Sequence, residues 1–294
     1  MLRVNTIGGM GSVYEPISGL SPYCLEMNYD DDTPANSQMI STPVAGTGGI
    51  LGLTGQQWTM SLWGKVLSAP DIPPFTPVND VMVSYQQNLA GGIVNFAAQF
   101  GIHSTIEFGT NIIFAVLSDD DPDTDFNFWA ASKPANQNQW YMLTMVFDGP
   151  ANTCEFYVDG VEDSANMSVY QPPGVSTFTE TATHFWDIGG YTTFTTYPTV
   201  DERLGTTNQR VHSLATWDSK LTAAEVLAIY NGHAGKNFEL DSDSGGYVSS
   251  ADLTMWHRYG LDATNLGRDY SAGGNHASVE TNITVDDIIA DAPA

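Results

Sequence analysis

Trp140-Tyr-Met-Leu-Thr-Met-Val-Phe-Asp148-Gly149-Pro150, continued by Cys154-Glu-Phe-Tyr-Val-Asp159-Gly160-Val161, decides how this chain folds. Residues 140–147 are apolar at both alternating sets of positions, the pattern of a central strand covered on both faces. Asp148-Gly149-Pro150 then turns the chain, because Gly frees φ and Pro fixes it where a turn needs it. Residues 154–158 run back, and Asp159-Gly160 is the dipeptide that most readily takes the left-handed conformations of a tight hairpin turn. The stretch predicts a hairpin in the middle of an antiparallel sheet.

Working outward, further strands follow. In residues 58–66, Trp58, Met60, Leu62 and Val66 share one face, and Thr59, Ser61 and Lys65 the other, the period of a half-buried strand. Residues 23–27, 39–40, 81–85, 92–100, 112–117 and 211–217 are further strand candidates, and Phe126-Asn-Phe-Trp129 follows the acidic stretch 118–125. Pro70, Pro73, Pro74 and Pro77 interrupt regular structure between two of them. One helix is expected near 222–231: Thr222 and Glu225 form a capping box, Leu221 and Val226 a hydrophobic staple. Val226, Leu227, Ile229 and Tyr230 supply its packing face, and Gly232 is placed to end it. Residues 1–19, rich in Gly and Ser, read as an extended N-terminal arm, and 20–294 as a single all-β domain.

Composition narrows the partners. Acidic side chains outnumber basic ones 34 to 9, for a net charge of −25. That field repels phosphate backbones and anionic lipid, which argues against nucleic acid and membrane insertion. Cys24 and Cys154 lie in apolar runs, and the residues leave open two buried thiols or one bridge across the sandwich. The first residues, Met1-Leu-Arg-Val-Asn-Thr-Ile-Gly-Gly9, lack the apolar stretch of a secretory signal, and no run reaches membrane-spanning length. The expectation is a protein that stays in the cytoplasm or leaves without a signal, as in a virus particle released by lysis.

The pairing of Trp140…Asp148-Gly149 with Glu155-Phe-Tyr-Val-Asp159-Gly160 resembles the core hairpin of concanavalin A-like, laminin-G-like domains. Ile188-Gly189-Gly190, Val211-His-Ser-Leu-Ala-Thr-Trp217 and Leu221-Thr-Ala-Ala-Glu225 follow in the order of that family. Leu253-Thr-Met-Trp256-His-Arg-Tyr259-Gly260 with Asp269-Tyr-Ser-Ala-Gly273-Gly274-Asn275-His276-Ala277 is similar to a strand pair that often begins such domains. Here it lies late in the chain, as in phage-encoded and environmental members. The resemblance implies an antiparallel β-sandwich, a jelly roll, over roughly residues 23–279.

The chemistry expected from the residues is binding. Glucanases of this shape carry their acids in a Glu-x-Asp-x-x-Glu run on one strand; no such run occurs, so a hydrolase would need an atypical acid pair. The six histidines are dispersed and fit no nucleophile or zinc pattern. Hard cations want several oxygen ligands. Asp30, Asp31, Asp32 and Asn36 form one candidate Ca2+ loop, and Asp119, Asp120, Asp121, Asp123 and Asp125 another; the resemblance implies such an ion at the loop rim. Trp129, Trp186, Tyr191 and Tyr197 lie in loop-like stretches where aromatic rings can stack on sugars. Residues 191–197 also read as an edge strand open to a partner.

The leading expectation is a non-enzymatic virion surface protein, a capsid decoration or fibre-like component acting in adhesion. Its partners would be other virion proteins, its own copies in an oligomer, and cell-surface glycans. A calcium-assisted carbohydrate-binding module is the alternative, and a glycoside hydrolase the third.

Overall fold

The expected hairpin is the centre of the first sheet in the computed structural model, which describes residues 22–28, 39–41, 57–68, 78–88, 94–104, 111–118, 126–151, 153–169, 184–196, 199–205, 208–233, 239–281 and 283–293. The arm at 1–19 lies outside these residues.

The strands are β1 (Cys24–Met27), β2 (Met39–Ser41), β3 (Gln57–Ser68), β4 (Val78–Asn88), β5 (Val94–Ser104), β6 (Asn111–Ser118), β7 (Phe126–Pro134), β8 (Tyr141–Asp148) and β9 (Thr153–Val158). There follow β10 (Val161–Glu162), β11 (Met167–Val169), β12 (His184–Ile188), β13 (Gly190–Thr196), β14 (Thr199–Gly205), β15 (Asn208–Trp217), the helix α1 (Ala223–His233), β16 (Leu253–Arg258), β17 (Ser278–Thr281) and β18 (Ile288–Ile289).

They form two large sheets and a two-stranded ribbon. The first sheet runs β10-β9-β8-β3-β15-β1-β18, with β16 also paired to β15. The second runs β11-β7-β6-β5-β4-β12-β2-β17, and β13 pairs with β14. Every pairing is antiparallel. This is the all-β, antiparallel sandwich that the resemblance implies.

Between the sheets lies the main core. Leu25, Met60, Leu62, Leu143, Met145, Phe147, Phe156 and Val211 face Met82, Val83, Ile113, Ala115 and Ile188 across it. The sheets approach so closely at Gly64 that a Cβ there would collide with the end of Met82, which accounts for glycine in the middle of a strand. Val211 and Leu214 both point into this core although three residues apart, because a bulge between Val211 and Ser213 resets the alternation.

A second apolar layer covers the outer face of the first sheet. Trp63, Met142, Val146, Tyr157, Ala215, Trp217 and Trp256 are buried there against Leu221, Val226 and Ile229 at α1 and Leu240 and Tyr247 after it. All eight residues of β8 are therefore buried, as the sequence required. The reading of 58–66 is corrected as well: Thr59, Ser61 and Lys65 are buried too. They are accommodated by partners. Thr59 Oγ1 donates to the Ser219 carbonyl at 2.8 Å, and Ser61 and Thr144 share a hydrogen bond of 3.0 Å.

The capping box forms, with Thr222 N–H donating to Glu225 Oε2 at 2.9 Å and Glu225 N–H to Thr222 Oγ1 at 3.3 Å. Two expectations for the helix are corrected. It continues past Gly232 to His233, and Leu227 is 43% exposed rather than packed. Asp159 (φ 53°) and Gly160 (φ 75°) make the tight turn from β9 to β10, the left-handed pair that such a turn demands. Both cysteines are free and buried, which decides between the two readings of the pair. Among the described residues, no helix is long and apolar enough to cross a membrane.

Candidate functional site

Two of the four aromatic candidates fall on the second sheet. Trp129 stands on β7, opposite Ala115 of β6 and Met167 of β11. Trp186 stands on β12, opposite Tyr85 of β4. Tyr191 is on β13, opposite Leu204 of the ribbon. Between β7 and β12 lie β6, β5 and β4, so Trp129 and Trp186 are separated by four inter-strand steps, roughly 19 Å. They belong to one sheet but not to one stacking platform. Tyr197 lies outside the described residues.

The acidic candidates also lie outside them: Asp30, Asp31, Asp32 and Asn36 in one segment, and Asp119, Asp120, Asp121, Asp123 and Asp125 in the other. Their attachment points are described, however. Ser118 and Phe126, which bracket the second segment, are register partners at one end of the sheet. The first segment enters β2 at Met39, and β2 runs antiparallel to β12 with Ile40 opposite Ile188. Following the registers through β4, β5 and β6 puts Met39 about level with Phe114, near the middle of β6. Among the described residues, no group of three or more His, Cys, Asp or Glu side chains is arranged to hold a metal ion.

Two buried carboxylates, Asp148 and Glu225, have structural work. Asp148 accepts from Gln57 Nε2 at 2.9 Å and from Ala151 N–H at 3.3 Å, and Lys220 lies 3.4 Å away. The Gln57 bond is foremost in holding its carboxyl below the usual range. Burial opposes the charge of Glu225, but hydrogen bonds from Ser249 (2.6 Å), Thr222 and Val248 outweigh it and keep that carboxyl low as well. A general acid at neutral pH needs the opposite shift.

The late motif forms a polar knot. Asp269 accepts from the backbone N–H of Trp256 (2.8 Å), Ser271 (2.8 Å) and Asn275 (2.7 Å), and from Ser271 Oγ (2.9 Å). Donors occupy both of its oxygens, so it ties a loop to β16. His257 is fully buried beside it. Its Nε2 lies 2.8 Å from the Asn275 carbonyl, which can only accept, so Nε2 carries the proton and Nδ1 accepts from Tyr259 Oη at 2.9 Å. Burial pushes the imidazole pKa down, which favours the neutral ring. This histidine is a strut for the Asn275 loop.

One cluster had no signal in the sequence. On the outer face of the first sheet, Asp291 accepts from Lys65 Nζ at 2.6 Å, from Trp140 Nε1 at 3.2 Å and from Arg210, while Arg210 also pairs with Glu26 at 2.6 Å. Glu26, Arg210 and Lys65 stand side by side on β1, β15 and β3; Asp291 arrives from far along the chain, a pairing that no local spacing announces.

The model of the family described as "Concanavalin A-like lectin/glucanases superfamily" matches residues 35–227. Among curated proteins, none matches. Among solved structures, the chain is similar to a native heptameric SAP-like pentraxin from Limulus polyphemus at 11% identity and a TM-score of 0.49, over 78% of this chain and 89% of that one. It is similar to a candidate carbohydrate binding protein from Bacteroides ovatus at 13% identity and a TM-score of 0.49, over 90% of this chain and 61% of that one. A Trypanosoma rangeli sialidase aligns at 10% identity and a TM-score of 0.39, over 62% of this chain and 24% of that one.

Proposed function

Because this chain belongs to the concanavalin A-like lectin/glucanases superfamily, we propose that it is a non-catalytic binding protein whose ligand is a glycan. The ligand surface is the outer face of the second sheet with its rim segments. One observation carries this reading: the outer face of the first sheet is already closed by α1 and by Leu240 and Tyr247, with Trp63, Trp217 and Trp256 buried beneath them. The outer face of the second sheet is the candidate surface that remains, and a Ca2+ ion held by carboxylates at 119–125 would fix sugar hydroxyls at its rim.

A glycan array probed with and without a chelator tests this. The expected result is a restricted set of bound glycans whose signal falls on chelation and is restored by Ca2+. Flat signals would remove the glycan reading, and binding indifferent to the chelator would remove the ion from it.

We further propose that the protein acts on the surface of a virus particle, docked through residues 1–19, in keeping with the Gly- and Ser-rich composition of that segment. Deleting 1–19 should abolish association with the particle and leave glycan binding intact. Unchanged association would sink this placement.

A further inference from the structure

On the outer face of the first sheet, Lys65 of β3 and Arg210 of β15 are register partners. Like charges set opposite each other repel, and the chain has only 9 basic side chains against 34 acidic ones. Both cations are drawn onto one group, the Asp291 carboxylate. Lys65 Nζ donates to its Oδ2 at 2.6 Å, and Arg210 Nη1 donates to the same oxygen. Trp140 Nε1 donates to Oδ1 at 3.2 Å. Each oxygen of a planar carboxylate thus has its own donors, more than a clamp built on a single cation would need.

Other groups hold these donors in place besides Asp291. Glu26 takes Arg210 Nε and Nη2 at 2.8 and 2.6 Å, which leaves Nη1 for a further acceptor. The Trp140 ring lies 5.5 Å from Lys65 Nζ, and His212 meets it edge-on with ring centres 6.4 Å apart. Without Asp291, Lys65 and Arg210 would face Glu26 alone. That leaves a surplus of one positive charge in a chain of net charge −25, and one carboxylate satisfies it.

Asp291 arrives on a lightly attached segment. β18 pairs with β1 only at Ile288 and Ile289, opposite Leu25 and Cys24. The chain then turns, with Asp291 N–H donating to the Ile289 carbonyl at 2.9 Å. Val285 and Asp286 before the pairing and Ala290 after it are exposed. The Lys65 side chain is 11% exposed and that of Asp291 24%, so Lys65 is drier than the group that pairs with it.

We propose that Lys65, Arg210 and Trp140 form a binding site for a ligand carboxylate, which the chain's own Asp291 keeps closed. A free carboxylate that takes the place of Asp291 releases the segment around β18 from the edge of β1. The site lies on the first sheet and does not depend on the glycan reading of the second.

The test uses the full chain with sodium acetate and sodium glucuronate as probes, against NaCl of equal ionic strength and against glucose. In the wild type, both carboxylates should speed labelling of Cys24 by a disulfide reagent, with a rate that saturates, and leave Cys154 unchanged. Cys24 reports release because its Sγ lies 3.6 Å from the Ile289 carbonyl. In Asp291→Ala, where the site stands open, they should raise the melting temperature by roughly 2–4 °C near saturation. NaCl and glucose should do neither. The rise should vanish when Arg210→Gln is added. It should also be missing from Asp262→Ala, which removes the acid 3.2 Å from Arg268 elsewhere on the surface. A stronger effect of glucuronate than of acetate would identify the source as an acidic sugar, and equal effects any small carboxylate. Indifference of Cys24 labelling in the wild type would overturn the proposal, and that arm needs no variant to fold. So would an equal rise in melting temperature with NaCl, with Arg210→Gln added, or in Asp262→Ala.

Discussion

Asp291 accepts a hydrogen bond from Lys65 Nζ at 2.6 Å across 226 residues of sequence. The contact pins the C-terminal segment over the outer face of the first sheet, next to the two-residue pairing of β18 with β1. Burial disfavours the charge on Asp291, but hydrogen bonds from Lys65, Arg210 and Trp140 outweigh it, and the carboxyl is held below its ordinary value. A depressed folded pKa contributes stability that is present above the unfolded value, about 3.9, and is lost as pH falls through the folded value. Urea unfolding at pH 7 should therefore show Asp291→Ala less stable by about 2 kcal/mol. The stability that wild type loses below about pH 4 should be partly missing from Asp291→Asn. A variant whose acid limb matches that of wild type would show that the cluster contributes nothing in solution.

At the β9–β10 turn, Gly160→Ala faces two penalties. The backbone is left-handed there (φ 75°), and the new methyl would lie 2.8 Å from Tyr230 Cβ. The expected loss is roughly 1–3 kcal/mol. Asp159→Asn keeps a residue that tolerates φ of 53° and an oxygen to accept from Met142 N–H, now at 2.9 Å, so it should cost well under about 1 kcal/mol. Thermal melts of the two variants give the order; a milder Gly160→Ala would refute the packing of the turn on α1.

The turn and the cap were legible in the sequence because their logic is local. Asp159-Gly160 needs only its own two residues, and Thr222 with Glu225 only one helical turn. The burial of Thr59, Ser61 and Lys65 was not legible, since their polarity argues for solvent and their partners, among them Ser219 for Thr59 and Asp291 for Lys65, lie far along the chain. Glu225 shows both cases in one residue: its bond to Thr222 follows from spacing, and its 2.6 Å bond from Ser249 does not. The aromatic candidates were expected in loop-like stretches, whereas Trp129, Trp186 and Tyr191 lie on β7, β12 and β13. Pairing registers put Trp129 and Trp186 in the same sheet yet four strands apart, a distance that no reading along the chain contains.

The two thiols should be silent in the native protein. Burial, reinforced by Asp291, pushes the Cys24 thiol up to about 12. Burial likewise raises Cys154 far above the ordinary range for a thiol. The thiolate is the reactive form, so a disulfide reagent at pH 8 should label neither until denaturant is added, and then both. Cys24 Sγ lies 3.6 Å from the Ile289 carbonyl, under the segment that Asp291 clamps. Asp291→Ala should therefore speed labelling of Cys24 and leave Cys154 unaffected. Equal acceleration of both would mean global unfolding and not release of the segment.

Gln209 is fully buried on β15, in register with Met27 of β1 and Val66 of β3. Among the described residues neither its Nε2 nor its Oε1 has a hydrogen-bond partner. An amide taken out of water without replacement bonds costs about 1–3 kcal/mol, and an apolar side chain of similar shape avoids that cost. Gln209→Met is close in length and flexible enough to fill the same space. It should stabilise the protein by about 1 kcal/mol, seen as a higher urea midpoint with an unchanged slope. Gln209→Ala removes the amide but leaves a cavity, and should be less stable than Gln209→Met by about 2 kcal/mol. If Gln209→Met instead destabilises as much as Gln209→Ala, the amide is satisfied in solution by a trapped water, and the core at this end of the sandwich is wet.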